Sequence, residues 1–164
     1  PYYRDRFANL IGEKLGKPYF VSGRSGGGIA GILERMKTEI PTLRPNYVFV
    51  TIGTNGGNTE ANLNQMIDYC EGFGTKVILN LIPLFDGSTA GKNTIIQNVV
   101  TARSLMSVKT NVATSVNGDG ITKDNSKFAN EAGVFIHPNE AGNLAIYKRA
   151  LIDIENVFVE AGVF

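Results

Sequence analysis

Tyr47-Val48-Phe49-Val50-Thr51-Ile52-Gly53-Thr54-Asn55-Gly56-Gly57-Asn58 is the stretch on which the reading of this chain turns. Its first six residues are all β-branched or aromatic, with no polar alternation, which predicts a strand buried on both faces. Its last six are glycine, threonine and asparagine, residues of turns and helix caps. A buried strand that empties into a polar glycine loop is the signature of a parallel sheet, in which each strand must hand the chain to a crossover.

The flanking sequence repeats that pattern in both directions. Downstream, Asn58 or Thr59 is placed to cap a helix through Leu63, Met66, Ile67 and Cys70, which stops at Gly72 and Gly74. Lys76–Ile82 reads as the next buried strand. A loop from Pro83 to Lys92 follows, then a helix through Ile95, Ile96, Val99, Val100, Leu105 and Met106, and a weaker strand at Val112–Val116. The stretch 117–136 is polar and irregular, and Pro138 suits the first position of a final helix through Leu144, Ile146, Leu151 and Ile154. Upstream, Tyr3–Leu15 has helical spacing with Gly16 as a stop, and Tyr19-Phe20-Val21 reads as a short buried strand. Ser22–Gly28 is a glycine-rich loop, and Ile29, Ile32, Leu33, Met36 and Ile40 mark a helix ended by Pro41. The expectation is an α/β fold, three layers with a parallel sheet between helices, formed by residues 1–164 as one domain.

Composition narrows the function classes. The 16 basic and 15 acidic residues leave a formal charge of +1, and no Lys/Arg run tracks a phosphate backbone, which argues against nucleic acid as a partner. No apolar stretch approaches the roughly 20 residues of a membrane span. Cys70 is the single cysteine, so no internal disulfide forms, and its expected place is a helix core. The chain opens on Pro1 within an amphipathic pattern, so a preceding segment is expected. Any targeting signal would belong to that segment, and the sequence assigns no compartment.

Three loops at the expected C-terminal ends of strands carry chemistry. Ser22-Gly23-Arg24-Ser25-Gly26-Gly27-Gly28 lets backbone N–H groups approach a ligand. It lacks the Gly-Lys-Ser/Thr ending of a phosphate loop, which weighs against a nucleotide-binding domain. Asn55 offers a side-chain amide to a developing negative charge, and the competing reading is a plain turn and helix cap. His137, in Phe135-Ile136-His137-Pro138-Asn139-Glu140-Ala141-Gly142, is the single histidine and a natural general base.

In order along the chain, a Ser-Gly loop opening a helix that contains Arg35, a strand ending in Gly53-Thr54-Asn55, and His137-Pro138-Asn139-x-x-Gly142 resemble three of the four blocks of the SGNH/GDSL hydrolases. The resemblance implies a flavodoxin-like sheet of order 2-1-3-4-5 and hydrolysis of small acyl esters, carbohydrate O-acetyl esters foremost, through an acyl-serine. It implies Gly26 (backbone N–H) and Asn55 (side-chain N–H) as oxyanion donors and His137 as base, converging on one cleft, with no metal or organic cofactor.

The fourth block, Gly-Asp-Ser at the end of the first strand, is absent. Ser22, Ser25 and Ser88 do not stand in that context, so the nucleophile and its strand are expected before Pro1, from a preceding segment or another chain. In the family's order that strand separates Tyr19–Val21 from Tyr47–Ile52. Val134 stands where the family places its orienting Asp. This leaves a Ser–His dyad as the expectation, with Glu131, Asp119 and Asp124 as candidates for a displaced acid. Gly56 replaces the usual Asp after Asn55, which implies a looser loop. The rival reading is a non-catalytic carbohydrate- or ligand-binding domain of the same fold.

Overall fold

The computed structural model describes residues 6–24, 26–85, 88–131, 133 and 137–164. In chain order the elements are α1 (Phe7–Leu15), α2 (Ile29–Leu43), β1 (Tyr47–Thr51), α3 (Glu60–Glu71), β2 (Lys76–Asn80), α4 (Thr89–Ala102), α5 (Thr110–Ala113), α6 (Glu140–Asp153) and α7 (Glu155–Glu160), with single 3-10 turns at Val116–Gly118 and Asn125–Lys127. The contacts divide the chain into two compact units, one of residues 24–82 and 88–107, the other of residues up to 23, 83–87 and 108–164.

The first unit holds the sheet. β1 and β2 pair in parallel from Tyr47 opposite Lys76 to Thr51 opposite Asn80. Met106 extends the sheet on the far side of β2, bridging Ile78 in parallel and accepting a hydrogen bond from Leu79 N–H at 3.1 Å. Leu63, Met66, Ile67 and Cys70 of α3 are completely buried with Ile78, Leu79 and Ile96. Burial, with Glu71 adding a lesser push, raises the Cys70 thiol to about 11, so the cysteine serves as an apolar core side chain. Ile29, Leu33, Met36 and Ile40 form the buried stripe of α2.

Several sequence expectations are corrected here. β1 is half-buried, with only Val50 fully covered. Among the described residues β2 is its sole strand neighbour, so no second neighbour seals its other side. Pro41 does not end α2, which continues to Leu43. Pro41 has no N–H for the Lys37 carbonyl one turn back, and the Tyr69 hydroxyl donates to that oxygen instead at 3.1 Å, answering the group that proline leaves unmet. α4 stops at Ala102, releasing Leu105 and Met106 from the helix to reach the sheet. The ladder of β2 ends at Asn80 rather than Ile82, because the buried Asn93 side chain takes over the backbone there. Its Oδ1 accepts from Ile82 N–H at 2.8 Å and its Nδ2 donates to Ile82 C=O at 3.0 Å.

The second unit is built on α6, which packs against α1, α5, α7 and the turn at Asn125–Lys127. Ile146, Ala150, Ile154, Val157 and Phe158 form its core with Ile11, Val108 and Phe128. Asp153 binds Arg149 and also accepts from Lys109 N–H at 2.7 Å. Here too the sequence reading needs correction. Residues 112–116 are not a strand: α5 and a 3-10 turn replace it. The hydroxyls of Thr114 and Ser115 donate to Thr110 C=O and Val112 C=O at 2.8 and 2.9 Å, the local competition with sheet pairing that such residues offer. Tyr19, Phe20 and Val21 lie in irregular backbone, 49%, 64% and 50% exposed. Among the described residues no strand pairs with them, and unpaired backbone does not become a strand. α1 begins at Phe7, and the expected helix start at Tyr3 lies outside the described residues. The last helix breaks at Ile154 into α6 and α7, and Asn139 rather than Pro138 opens it. Among the described residues no helix is long and apolar enough to cross a membrane.

Asn93→Ala removes the partner of both backbone groups of Ile82 at a buried position. It is expected to lower stability by about 2–4 kcal/mol, read as a fall in urea midpoint at unchanged m-value.

Candidate functional site

Each unit contributes one cluster of the residues singled out above. In the sheet unit, the loop after β1 displays Asn55. Gly53 takes φ 121°, a conformation reserved for glycine, and a Cβ there would lie 2.6 Å from Asn58 Oδ1. The Asn58 side chain occupies that space and donates from Nδ2 to Lys92 C=O at 3.1 Å, while Lys92 Nζ donates back to Thr54 C=O at 3.0 Å. On the other flank Asn62 Nδ2 donates to Gly57 C=O at 2.9 Å, and Thr59 caps α3 by accepting from Asn62 N–H at 3.2 Å. Both flanks of Asn55 are thus tied to helices. Its own side chain is exposed and makes no hydrogen bond among the described residues.

The glycine loop meets this loop. A Cβ on Gly28 would stand 3.4 Å from Gly56 O and 3.6 Å from Asn55 O, and one on Gly57 would stand 3.5 Å from Ile29 Cβ. Gly28 is the N-cap residue of α2, and Gly27 N–H is engaged with Arg24 C=O at 3.3 Å. Gly26, with φ 69° and open space where a Cβ would be, makes no hydrogen bond among the described residues. One unit therefore brings the two loops together at Gly28, and each loop carries a donor without a hydrogen-bond partner among the described residues, the Gly26 N–H and the Asn55 side-chain amide, groups of the kind that stabilise an oxyanion. Ser25, on which the choice of Gly26 rests, lies outside the described residues.

In the α6 unit, His137 Nδ1 lies 2.9 and 3.0 Å from Glu131 Oε1 and Oε2, with the side chains 70% and 50% exposed. A carboxylate only accepts, so Nδ1 carries the proton and, in the neutral ring, Nε2 keeps its lone pair. That is the tautomer a general base needs. Pro138 faces Phe128 in an isolated antiparallel bridge, flanked by Ala129 N–H to His137 C=O at 2.9 Å and Asn139 N–H to Lys127 C=O at 3.0 Å. Those two bonds make Pro138 part of a non-hydrogen-bonded pair, where its missing N–H leaves nothing unmet. Gly142, buried in the first turn of α6, has no room for a Cβ, which would collide with the Lys127 carbonyl oxygen. Val134 lies outside the described residues.

The other two candidate carboxylates are committed to their own turns. Asp119 Oδ1 accepts from Ile121 N–H and Thr122 N–H at 2.8 Å each. The Ile121 N–H foremost, then the hydroxyl and N–H of Thr122, draw its carboxyl down to about 2. Asp124 caps the turn at Asn125–Lys127 through Ser126 N–H and hydroxyl at 3.1 and 2.6 Å, and the Ser126 hydroxyl leads the causes that lower its pKa. Ser22 lies in the exposed stretch before α2, and Ser88 is the N-cap residue of α4. Three residues not singled out for such a part in the sequence hold the two loops: Asn58, expected only as a helix cap, Lys92, and Asn139, which stands where Pro138 was expected to open the helix. The bonds of Asn139 to Ser126 and Phe128 depend on folding at a distance.

No family model and no curated protein matches the sequence, but solved structures do match in fold. TesA aligns with TM-score 0.71 and 20% identity over 94% of this chain and 89% of its own. A catalytic mutant of Axe2, an acetylxylan esterase from Geobacillus stearothermophilus, gives 0.73 and 15% over 91% and 80%. A member of the lipolytic protein G-D-S-L family from Veillonella parvula gives 0.68 and 18% over 92% and 87%. The chain has the α/β fold of the SGNH/GDSL hydrolases.

Because the folded carboxyl of Asp119 titrates below its ordinary value of 3.8, its contribution to the 116–122 turn is present above that value and is lost as the pH falls through about 2. The amide resonances of Ile121 and Thr122 are expected to titrate with that midpoint. In Asp119→Asn they should show no such step.

Proposed function

We propose that the protein is a serine ester hydrolase for small acyl esters, with O-acetylated carbohydrate as the substrate class. The observation that carries this reading is the Glu131–His137 pair, which leaves Nε2 as the basic nitrogen. Esterases among the structures of the same fold support it. The reading takes its nucleophile from a Gly-Asp-Ser segment before Pro1.

In the proposed reaction His137 Nε2 accepts the serine hydroxyl proton as the oxygen attacks the ester carbonyl carbon. The Gly26 N–H and the Asn55 amide bind the resulting oxyanion, and Glu131 holds the imidazolium through Nδ1–H. Collapse expels the alcohol, which takes the proton from Nε2 and leaves an acyl-serine. Water, deprotonated by the same nitrogen, then releases the acid and restores the serine. This reading takes Glu131, six residues before the base and within hydrogen-bond distance of it, as the acid of a triad in place of a dyad.

A non-catalytic binding domain is the second reading, favoured by the lack of a Gly-Asp-Ser among the 164 residues. Aryl acetate hydrolysis by the protein carrying its upstream segment separates the two. His137→Ala is expected to lose at least about 10³-fold in kcat/KM, and Asn55→Ala about 10²–10³-fold. Glu131→Ala should approach the histidine's effect, while Asp119→Asn and Asp124→Asn stay within about twofold. Wild-type rates in His137→Ala, with contaminating esterase excluded, would refute the mechanism. Binding of acetylated oligosaccharide without turnover would favour the second reading.

A further inference from the structure

We propose that Asn139 is a positioning residue for His137, its side-chain amide fixing the base of the segment that carries both Glu131 and His137. The inference deepens the hydrolase reading and rests on it for its catalytic consequence, though not for its structural one. The Glu131–His137 contact is exposed on both sides, and an exposed pair gains little energy while it restricts two side chains. Such a contact does not hold itself in one geometry, so the backbone beneath it must.

That backbone is held at four places around Asn139. The N–H of Asn139 donates to Lys127 C=O at 3.0 Å, beside Ala129 N–H on His137 C=O at 2.9 Å. Its Nδ2 donates to both Ser126 C=O at 2.8 Å and Phe128 C=O at 3.2 Å. Its Oδ1 accepts from Gly142 N–H at 3.0 Å, capping α6. Asn143 Nδ2 in turn donates to Pro138 C=O and Asn139 C=O, each at 2.9 Å. One asparagine therefore joins residues 126–128, at the end of the 3-10 turn, to the start of α6, with His137 two residues away. A cap needs only the Oδ1 bond; the two Nδ2 bonds have no capping role and close the base from which Glu131 departs.

Asn139→Asp separates the two roles. Aspartate is as good an N-cap as asparagine, but it presents an oxygen instead of an N–H to the two carbonyls. Asn139→Ser keeps a capping oxygen and removes the donors without adding charge. The probe is the 15N shifts of the ring of the single histidine in mildly alkaline buffer, which report its tautomer directly and require no turnover. The wild-type chain is expected to show a predominant Nδ1–H tautomer, and Glu131→Ala a distribution like that of free imidazole. Asn139→Asp and Asn139→Ser should move toward that distribution while retaining wild-type far-UV circular dichroism. In the protein carrying its upstream segment, kcat should fall by up to on the order of 10²-fold with KM little changed. If Asn139→Asp does not fold, Asn139→Ser decides. Wild-type ring shifts in a folded Asn139→Ser would overturn the proposal and leave Asn139 a cap. Shifted rings in a protein that never shows esterase activity would keep the proposal's structural claim and refute the hydrolase reading.

Discussion

Parallel pairing is the constraint from which the sheet unit follows. With Thr51 opposite Asn80, β1 and β2 end at the same level, and neither can return through a tight turn. Each strand must release its chain into a loop that feeds a crossover helix, α3 from β1 and α4 from β2. The two loops therefore start side by side, and the first turn of α4 comes within reach of the loop after β1. Lys92 and Asn58 join them there. Asn55 is thus displayed at a place set by strand register, on a loop whose own residues would not hold a shape alone.

The chain has no disulfide to secure such loops, since Cys70 is its single cysteine and lies in the core. Asparagine side chains take that part. An Asn carries the same donor and acceptor as a peptide group, so it can stand in for a missing strand neighbour. Asn93 does so for Ile82, Asn62 for the carbonyl of Gly57, Asn143 for the carbonyl of Pro138 and the N–H of Phe7, and Asn139 for two carbonyls and one N–H. The two groups of Ile82 are buried, and leaving them unpaired would cost about 1–3 kcal/mol each. Asn58, Asn62 and Lys92 likewise tie the loop on either side of Gly56.

The elements that the sequence made legible are those whose signal is local. α3 could be read to within one residue of its cap, Asn58 or Thr59, because a helical stripe follows, and the start of β2 because Val77, Ile78 and Leu79 are apolar in succession. The misread elements depend on partners distant in sequence. Tyr19–Val21 has the composition of a strand, yet a strand exists only with a neighbour, and none pairs with it among the described residues. Residues 112–116 look β-branched, but the Thr114 and Ser115 hydroxyls satisfy backbone carbonyls within one turn, and of the pairing expected there only an isolated bridge from Ser115 to Lys123 is made. Pro138 has the residue type of a helix start, and only the bridge to Phe128 shows it to be one residue outside the cap. Of the carboxylates, spacing could not rank Glu131 above Asp119 and Asp124, because what removes the other two is a turn geometry that each builds around itself.

The exposure of the Glu131–His137 pair also fixes what the carboxylate contributes. In the chymotrypsin-type triad the orienting Asp is buried, where low dielectric makes its charge count strongly toward the imidazolium. At half exposure, water and salt weaken that charge, whereas the direction of a hydrogen bond is not screened. On the proposed hydrolase reading, Glu131 then acts mainly by selecting the Nδ1–H tautomer and the ring orientation, with the backbone beneath the pair already held in place. A carboxylate used for direction rather than field need not sit at one invariant spacing. On that reading six residues serve as well as three where the backbone at the foot of the pair is held, as the bonds of Asn139 to Ser126, Phe128 and Gly142 hold it. On the proposed reading, Val134 in the place of an Asp and the multiple bonding of Asn139 belong to one arrangement, in which a held loop base takes the place of close spacing between acid and base in sequence.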